Sequence, residues 1–248
     1  MTVTLANDAD AARHQDDLDP RLVTLLKPDS FEADQYRMLR FAIERACPSE
    51  TSRVIAVTSS IPGEGKTLTT INLCGAIANG SQARVLIIDA DLRRPSVAKM
   101  LGRGSAHRGW GLIDAILDRR LSLEQIAWRR EPFNLSAVTS RRPQADTYEL
   151  LANGRFGELL RDARQRYDYV IIDTPPVLPT PDSRLLAQWI DGYLIVVAAD
   201  HTPRKLLEET LAVLGPAKIL GFVFNRESYK HSRYGRYYYR AYTSPKTE

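Results

Sequence analysis

Residues Thr58–Thr67 read T-S-S-I-P-G-E-G-K-T, and this stretch decides how the rest of the chain is interpreted. The run Val54–Val57 before it is apolar and rich in β-branched residues, which is typical of a buried parallel strand. Residues 68–79 after it carry apolar side chains at helical spacing. Gly63 and Gly65 let the backbone approach a polyphosphate, whose charge would face successive N–H groups and the start of the helix. The stretch therefore predicts a phosphate-binding loop.

The loop departs at one position from the usual pattern G-x-x-x-x-G-K-[ST], because Ser60 stands where that pattern has its first glycine. On the loop alone, a chance turn is an open alternative. In a nucleotide site, Lys66 would reach the β- and γ-phosphates and the Thr67 hydroxyl would ligate Mg²⁺. The predicted nucleotide-binding residues of this stretch are Pro62, Gly63, Glu64, Gly65, Lys66, Thr67 and Leu68.

Acidic residues follow two further apolar runs. Residues 84–89 (R-V-L-I-I-D) end in Asp89, Asp91 comes two positions later, and residues 169–173 (Y-V-I-I-D) end in Asp173. Doubly wound sheets bind ligands at the carboxyl ends of their strands, so we expect these acids beside the phosphate loop. The combination predicts Mg²⁺-assisted phosphoryl transfer, with either water or a side chain as the acceptor. Asp91 and Asp173 would hold the metal directly or through its waters, and Asp89 would orient or deprotonate the attacking hydroxyl. The alternative for Asp91 is a cap on the next short helix.

Strands alternate with helices along most of the chain, and the strands are apolar runs rather than alternating ones. This pattern favours an α/β fold, a doubly wound and mainly parallel sheet with helices on both faces. Further helices are predicted at 31–46, 112–117, 123–128, 146–152, 156–165, 183–189 and 204–214. The first of these would be capped by Asp29 or Ser30, and Asp29 with Glu32 fits a capping box. Further strands are predicted at 133–138, 193–198 and 219–224, and a short strand or packing segment is predicted at 22–26. The predicted organisation is a flexible arm (1–28), a phosphate-loop domain (29–226) and a tail (227–248).

Composition narrows the class of protein. The chain has 248 residues, 44% of them hydrophobic, and a formal net charge of +4. It contains no apolar run near the roughly 18 residues of a membrane span and no apolar signal-peptide core at its start, so we expect a cytoplasmic protein. Cys47 and Cys74 lack metal-ligand spacing and are expected to be reduced thiols.

The tail has an unusual composition. Its residues 229–248 hold six of the eleven tyrosines of the chain, interleaved with five Lys/Arg residues and a single acid, Glu248. No aliphatic pattern could bury these rings, so the tail is not expected to fold alone. The tyrosines are Tyr229, Tyr234, Tyr237, Tyr238, Tyr239 and Tyr242.

Together, S-S-I-P-G-E-G-K-T, L-I-I-D-A-D-L-R, V-I-I-D-T-P-P and the terminal tyrosine cluster resemble the bacterial tyrosine kinases of capsule and exopolysaccharide synthesis. The resemblance covers the chain from about Leu25 to its end. It implies an ATP- and Mg²⁺-dependent autokinase in which Lys66, Asp89 and Asp91 are catalytic, with Asp89 as the base, and in which Thr67, Asp91 and Asp173 serve the metal. It implies that Arg93 contacts phosphate or fixes its loop. Asn225 lies where related ATPases often bind the base, with a plain strand-end turn as the alternative.

The partitioning and division-site ATPases are similar in fold to these kinases, but they carry an early lysine in K-G-G-x-G-K-T. Here Ile61 occupies that position and Pro62 the next. This departure argues against a nucleotide-switched positioning ATPase, although a basic, aromatic tail would suit nucleic acid. A non-catalytic ATP-dependent scaffold is the third alternative.

The resemblance also implies partners. Family members carry E-x-x-R-x-x-R on a helix that helps to assemble a ring, and this chain has Asp34, Arg37 and Arg40 at that spacing. The alternative is an ordinary solvated face with an i,i+3 ion pair. In such a ring, the tail of one subunit would be phosphorylated by its neighbour. The implied partners are a membrane polysaccharide co-polymerase that activates the kinase and recruits it to the inner face of the cell membrane, and a tyrosine phosphatase; no nucleic acid is expected.

Overall fold

The computed structural model describes residues 17–48, 52–104, 109–143, 146–215 and 219–226. Within them, seven strands form one sheet in the order β3-β4-β2-β5-β1-β6-β7, in which β3 alone is antiparallel to its neighbour. The strands are β1 (Arg53–Ser59), β2 (Val85–Asp89), β3 (Ala127–Arg130), β4 (Leu135–Val138), β5 (Tyr169–Asp173), β6 (Gly192–Ala198) and β7 (Ile219–Asn225). The predicted fold class is confirmed: the sheet is mostly parallel and has helices on both faces.

The helices cover the sheet in two layers, and the predicted elements other than those discussed below lie within two residues of their expected ends. The helices are α1 (Val23–Leu26), α2 (Phe31–Ala46), α3 (Lys66–Gly80), α4 (Val97–Met100), α5 (Leu112–Leu117), α6 (Leu123–Ile126), α7 (Thr147–Ala152), α8 (Gly154–Arg166), α9 (Asp182–Leu185) and α10 (Arg204–Leu214), with a 3₁₀ turn at Leu186–Gln188. None of the helices in the described ranges is both long enough and apolar enough to cross a membrane.

The central strands are buried on both faces, which explains their unbroken apolar sequences. On β1, Val54 and Ala56 belong to the core layer that contains Phe156 of α8, whereas Ile55 and Val57 belong to the opposite layer. That opposite layer is built around α3, whose residues from Thr69 to Ala78 are all buried. The phosphate loop therefore leads directly into the most enclosed helix of the domain.

Residues 18–27 pack against α3, although the sequence assigns them to a flexible arm. Leu22 and Leu25 are buried, and the backbone N–H of Thr24 donates to Asn72 Oδ1 at 3.0 Å. Asn79 Nδ2 donates in turn to the carbonyl of Thr24 at 2.7 Å. The segment forms a helical turn rather than a strand, because its apolar residues recur at a three-residue spacing that α3 can cover. The domain therefore begins before residue 28.

The structure decides three local predictions. Of the two caps predicted for α2, Ser30 is confirmed and Asp29 is not used, because the Ser30 hydroxyl accepts the N–H of Ala33 at 3.2 Å. The helix predicted at 123–128 ends at Ile126, where the chain turns into β3 and pairs antiparallel with β4. The helix predicted at 183–189 is the short α9 followed by the 3₁₀ turn. In the second and third cases, tertiary pairing and packing override local helical periodicity.

Candidate nucleotide and phosphoryl-transfer site

Backbone conformation in the phosphate loop explains which of its glycines are needed. Gly63 and Gly65 have left-handed φ values of +86° and +95°. A Cβ on Gly65 would lie 1.9 Å from Asn225 Nδ2, so glycine is required there for space as well as for conformation. Ser60 is not among the residues of positive φ, and its buried Oγ accepts a hydrogen bond from the Thr210 hydroxyl at 2.8 Å. The loop consequently does not need the glycine that the usual pattern places at this position.

Glu64 holds the loop together from the inside. Its side chain is 2% exposed, Oε2 accepts the N–H of Ile61 at 2.9 Å, and Oε1 accepts the Thr202 hydroxyl and the N–H of Ala198 at 3.3 Å. The carboxylate thus ties the loop to the end of β6. The nucleotide contact at this position stays a prediction, and it concerns the backbone N–H of Glu64 because the side chain is already engaged.

Lys66 and Thr67 begin α3 and reach two of the strand-end acids. Lys66 Nζ lies 2.7 Å from Asp91 Oδ2, and the Thr67 hydroxyl donates to Asp173 Oδ2 at 2.6 Å. Asp89 and Asp173 are paired positions on the neighbouring strands β2 and β5. The structure therefore brings together all five residues, which we call the carboxylate cluster: Lys66, Thr67, Asp89, Asp91 and Asp173. The N–H groups in the first turn of α3 lack acceptors within the helix and so provide further donors beside the cluster.

Asp89 is the most constrained acid of the carboxylate cluster. It is fully buried, and its Oδ2 accepts the N–H groups of Ser96 and Val97 at 3.0 and 3.1 Å, which caps α4. Its Oδ1 is buried and has no hydrogen-bond partner within the described residues. Burial, reinforced by the charge of Asp173, raises the pKa of Asp89 well above its usual range. One oxygen of Asp89 is thus fixed, and the other is available to a proton.

Asp91, proposed as a possible helix cap, instead closes a tight turn. Its Oδ1 accepts the N–H of Arg94 at 3.1 Å while its Oδ2 pairs with Lys66. The cap of α4 is supplied by Asp89, so Asp91 keeps one oxygen directed at the phosphate loop. Sequence spacing alone could not have distinguished these two roles, because both acids precede α4 by fewer than ten residues.

Charge balance in the carboxylate cluster depends on Lys66. Burial raises the pKa of Asp173 to about 6, against the opposing effects of the Lys66 charge and the Thr67 hydrogen bond. For Lys66 itself, burial acts to lower the pKa, but Asp173 and Asp91 outweigh it and leave a net rise. The ammonium is therefore held charged among the acids, as a residue that must meet phosphate oxygens requires.

The donor set fits Mg²⁺ that arrives with a nucleotide better than a resident metal. No group of three or more His, Cys, Asp or Glu side chains in the described part of the chain is arranged to hold a metal by itself. Mg²⁺ commonly takes one or two carboxylates and completes its octahedron with phosphate oxygens and water. Thr67 Oγ1 and Asp173 are in mutual contact and would fill the first part of that description, with Asp91 near by.

Arg93 turns away from the carboxylate cluster. Its Nε and Nη2 donate to Asp182 at 2.8 and 3.2 Å in a two-pronged ion pair, and the buried Asp182 also accepts the Thr147 hydroxyl at 3.1 Å. Of the two roles implied by the resemblance, this arrangement corresponds to fixing the loop. Asp182 was missed by the sequence analysis, because an acid in a Pro-rich connection gives no sign of a partner 89 residues away.

Asn225 ends β7 directly on the phosphate loop. Its Nδ2 donates to the carbonyl of Glu64 at 2.9 Å, and the neighbouring Arg226 donates through Nη2 to the carbonyl of Gly63. Asn225 thus contacts the phosphate loop, as does Arg226, which the sequence analysis did not single out, and the predicted contact of Asn225 with the nucleotide base stays a prediction. The phosphate loop is therefore held by the two residues that directly precede the tail, Asn225 and Arg226. The six tail tyrosines lie outside the described residues.

The predicted interface residues divide into two environments on α2. Asp34 and Arg37 form the i,i+3 ion pair, and Arg37 also donates to the carbonyl of Pro28. Arg40 instead pairs with Glu44 at 2.8 Å and covers Gly80, where a Cβ would come within 1.9 Å of its Nη1. The exposed i,i+3 pair of the alternative is present, and the interface role of this face stays a prediction.

Comparison with known proteins agrees with this geometry. Residues 52–211 match a family model described as an AAA domain. The chain is 32% identical to the tyrosine-protein kinase YwqD of Bacillus subtilis (strain 168) over 87% of its length and 90% of that protein. It is 34% identical over 87% of its length to the putative tyrosine-protein kinase EpsB of Ralstonia nicotianae, but spans only 29% of that longer protein.

Solved structures give the same picture. The kinase domain of the Escherichia coli tyrosine kinase ETK superposes with a TM-score of 0.74 at 26% identity, covering 92% of this chain and 89% of that domain. The septum site-determining protein MinD of Pyrococcus horikoshii, in complex with Mg-ADP, gives a TM-score of 0.61 at 21% identity over 71% of each chain, a likeness of fold alone.

Proposed function

From the premise that this chain belongs to the family of bacterial tyrosine kinases, we propose that it is a Mg-ATP-dependent protein-tyrosine autokinase that phosphorylates its own C-terminal tyrosines. The observation that carries the proposal is the convergence of the carboxylate cluster on the phosphate loop. Phosphoryl transfer demands positioning and charge neutralisation more than covalent chemistry, and this cluster offers both.

Each residue of the carboxylate cluster has a defined task in this proposal. Lys66 binds and neutralises the β- and γ-phosphates, and the loop N–H groups from Gly63 to Leu68 hold the phosphate chain. Thr67 and Asp173 would hold Mg²⁺, and Asp91 would orient Lys66 and support the metal. Bound ATP would supply the transferred phosphoryl group, and its Mg²⁺ would supply additional positive charge. Asn225 and Arg226 hold the phosphate loop in place on the side where the nucleobase of ATP would enter.

In this proposal, Asp89 is the base that accepts the proton of the tyrosine. The tyrosine phenol loses its proton to Asp89 Oδ1, its oxygen forms the new bond to the γ-phosphorus, and the bond from that phosphorus to the bridging oxygen breaks to leave ADP. A phenol has a pKa near 10, so a base whose own pKa is raised is better matched to it than an ordinary carboxylate. We assign the proton to Oδ1 of Asp89, the oxygen that is buried and has no hydrogen-bond partner among the described residues.

The tail supplies acceptors in trans. A random-coil segment of about 20 residues has a root-mean-square span of roughly 25 Å, and we propose that the tail reaches an adjacent subunit over a distance of this order. The chain would assemble into a ring through Asp34, Arg37 and Arg40, and each phosphate would add about −1.5 to −2 charges to a tail whose formal excess is positive. Phosphorylation is therefore expected to weaken self-association. Equal sedimentation of the phosphorylated and dephosphorylated proteins would contradict that expectation.

The wider setting follows from the named relatives. One is the succinoglycan biosynthesis transport protein ExoP of Rhizobium meliloti, of which this chain matches 29%. We place the chain in the regulation of capsule or exopolysaccharide synthesis and export. It would be a cytoplasmic kinase, recruited to the inner face of the membrane by a co-polymerase that activates it and opposed by a tyrosine phosphatase. No nucleic-acid partner is proposed.

The deciding experiment is incubation with labelled ATP and Mg²⁺, followed by phosphoamino-acid analysis. Three proteins are compared: wild type, Lys66→Met, and a chain truncated after Asn225. Label on tail tyrosines of the wild type alone supports the kinase. Released phosphate with unlabelled protein would instead indicate a positioning ATPase, and neither product would indicate a scaffold.

A further inference from the structure

A second concave site lies beside the carboxylate cluster. It is a cavity of about 750 Å³ at the carboxyl ends of β2 and β4. Four cations line it, Lys99, Arg103, Arg141 and Arg142, against one acid, Asp17, among the described residues. We call this site the basic cavity.

The basic cavity is joined to the proposed base by a single residue. Ser140 lines the cavity, and its hydroxyl donates to the backbone carbonyl of Asp89 at 2.7 Å. Pro95, also in the lining, precedes the Ser96 whose N–H is bound by Asp89 Oδ2. A group held in the cavity would therefore lie next to the place where an acceptor phenol meets Asp89.

Two of the cations are committed to the protein and two are not. Arg141 pairs with Asp114 at 3.2 Å, and the guanidinium of Arg103 stacks on Trp128 with 4.3 Å to the ring centroid. Lys99 and Arg142 are exposed and have no ion-pair partner within 4.0 Å among the described residues. Trp110, 57% exposed, adds an aromatic wall. Cations beside an exposed aromatic surface are suited to a phosphorylated aromatic side chain.

The charge of the tail restricts the occupant further. The unmodified segment 229–248 carries five Lys/Arg residues and one acid, so four cations in the basic cavity would repel it. One phosphate lowers the formal charge of the segment by about 1.5 to 2 and concentrates negative charge and three strong acceptor oxygens on a single side chain. The basic cavity therefore favours the phosphorylated side chain of the product over the uncharged phenol of the substrate.

We propose that the basic cavity binds a phosphotyrosine of the C-terminal tail, and that it thereby retains a once-phosphorylated tail while a neighbouring tyrosine enters the carboxylate cluster. The inference rests on the proposed function. Tyr237, Tyr238 and Tyr239 are consecutive, and extended chain covers roughly 3.3 Å per residue, so adjacent tyrosines could occupy two adjoining sites. Later phosphorylations of one tail would then be faster than the first.

The test is a binding measurement without ATP, so it does not depend on catalysis. Fluorescein-labelled peptides of sequence 229–248, unmodified or phosphorylated at Tyr238, are titrated with dephosphorylated full-length protein and followed by anisotropy. We expect at least about tenfold tighter binding of the phosphopeptide, declining as salt rises. Equal affinity for the two peptides would overturn the proposal, whatever the outcome of the kinase assay.

Variants locate the binding. Lys99→Glu with Arg142→Glu reverses the two uncommitted charges without disturbing an ion pair and should weaken phosphopeptide binding by about tenfold or more. Trp110→Ala should weaken it less. Arg45→Glu with Lys205→Glu, which reverses two exposed charges that lie outside the cavity lining, is the matched control and should leave it unchanged. Equal losses in this control would reduce the effect to net charge and refute the site.

Competition experiments show whether the basic cavity recognises the phosphorylated tail or any phosphate. Phenyl phosphate should displace the phosphopeptide only at concentrations about 100-fold higher, because the peptide adds contacts along the cavity. Inorganic phosphate should compete still more weakly. Displacement by inorganic phosphate at the concentration at which the phosphopeptide itself competes would show a general anion site and overturn the assignment to the tail.

Discussion

The carboxylate cluster and the charged face of α2 were both predicted from charged residues in the sequence, the first at the ends of apolar runs and the second at three-residue spacing, yet they differ in physical character. In the cluster, Asp89 and Asp173 are fully buried and meet partners far away in sequence, such as Thr67 and Asp173 across 106 positions. On α2, Asp34 and Arg37 are about half exposed and pair within one helical turn. Burying charge is costly unless it is compensated, so a buried cluster of acids points to a functional site. The exposed pair on α2 is stabilised by solvent and by its own ion pair, and it needs no functional explanation.

The largest effect that would break this comparison is at Asp89. Asp89→Asn keeps a carbonyl oxygen for the N–H groups of Ser96 and Val97, but it removes the proton acceptor. Autophosphorylation should fall by about 10² to 10⁴, the usual range for loss of a general base. ATP binding, measured by fluorescent-nucleotide titration, should be retained.

The same substitution has an opposite effect on stability. Because the pKa of Asp89 is raised in the folded protein, ionisation at neutral pH opposes folding, and Asn at this position should raise the urea midpoint above that of the wild type. Unchanged kinase activity in Asp89→Asn would remove Asp89 from the proton path.

The phosphate loop allows an internal comparison of two glycines. Gly63→Ala encounters no atom within 4 Å and should cost only the backbone strain of a left-handed alanine, about 1–2 kcal/mol. Gly65→Ala bears similar strain and also displaces Asn225 from the Glu64 carbonyl, which adds about 1 kcal/mol or more. Urea denaturation should therefore rank Gly65→Ala below Gly63→Ala.

An Asn225→Ala background isolates the second contribution. With that side chain removed, Gly65→Ala and Gly63→Ala should lower the free energy of unfolding by about the same amount. If the two glycine variants still differ by the same amount, contact with Asn225 is not the reason.

The third prediction concerns pH and Asp173. The pKa of Asp173 is raised to about 6 in the folded protein, so between its ordinary value of 3.8 and about 6 the unfolded chain releases a proton that the folded chain keeps. The contribution of Asp173 to stability is therefore complete below about pH 4 and lost as the pH rises through 6. The expected loss is of order 1–3 kcal/mol.

The measurement is the free energy of unfolding of nucleotide-free protein at pH 4.5 and 7, relative to Asp173→Asn. The variant retains a carbonyl oxygen for the Thr67 hydroxyl, and every other titrating group is common to both proteins. The wild type should lose stability relative to the variant as the pH rises. A difference that is flat or of opposite sign would mean that Lys66 fully compensates Asp173.

The sequence predicts some parts of this structure and not others, and the difference has a physical reason. The strands β1, β2 and β5, the phosphate loop and the meeting of the acids were all predictable, because buried parallel strands leave a clear apolar pattern and their carboxyl ends share one edge of the sheet. The pairing of Arg93 with Asp182 was not, since an ion pair between a loop and the first residue of the short α9 leaves no periodic trace. Nor was the short β3, whose residues become a strand only by pairing with β4.

The smallest predicted effect is at the face of α2. Asp34→Ala removes an exposed i,i+3 pair and should lower the free energy of unfolding of the isolated chain by only about 0.2–0.5 kcal/mol. Arg40 is 15% exposed and packs over Gly80, so Arg40→Ala should cost more in the monomer than Asp34→Ala. Sedimentation adds what stability cannot show: if this face joins subunits, Asp34→Ala should dissociate the assembly although the monomer hardly changes. An unaltered sedimentation coefficient would instead leave Asp34 and Arg37 as the ordinary solvated pair that their exposure suggests.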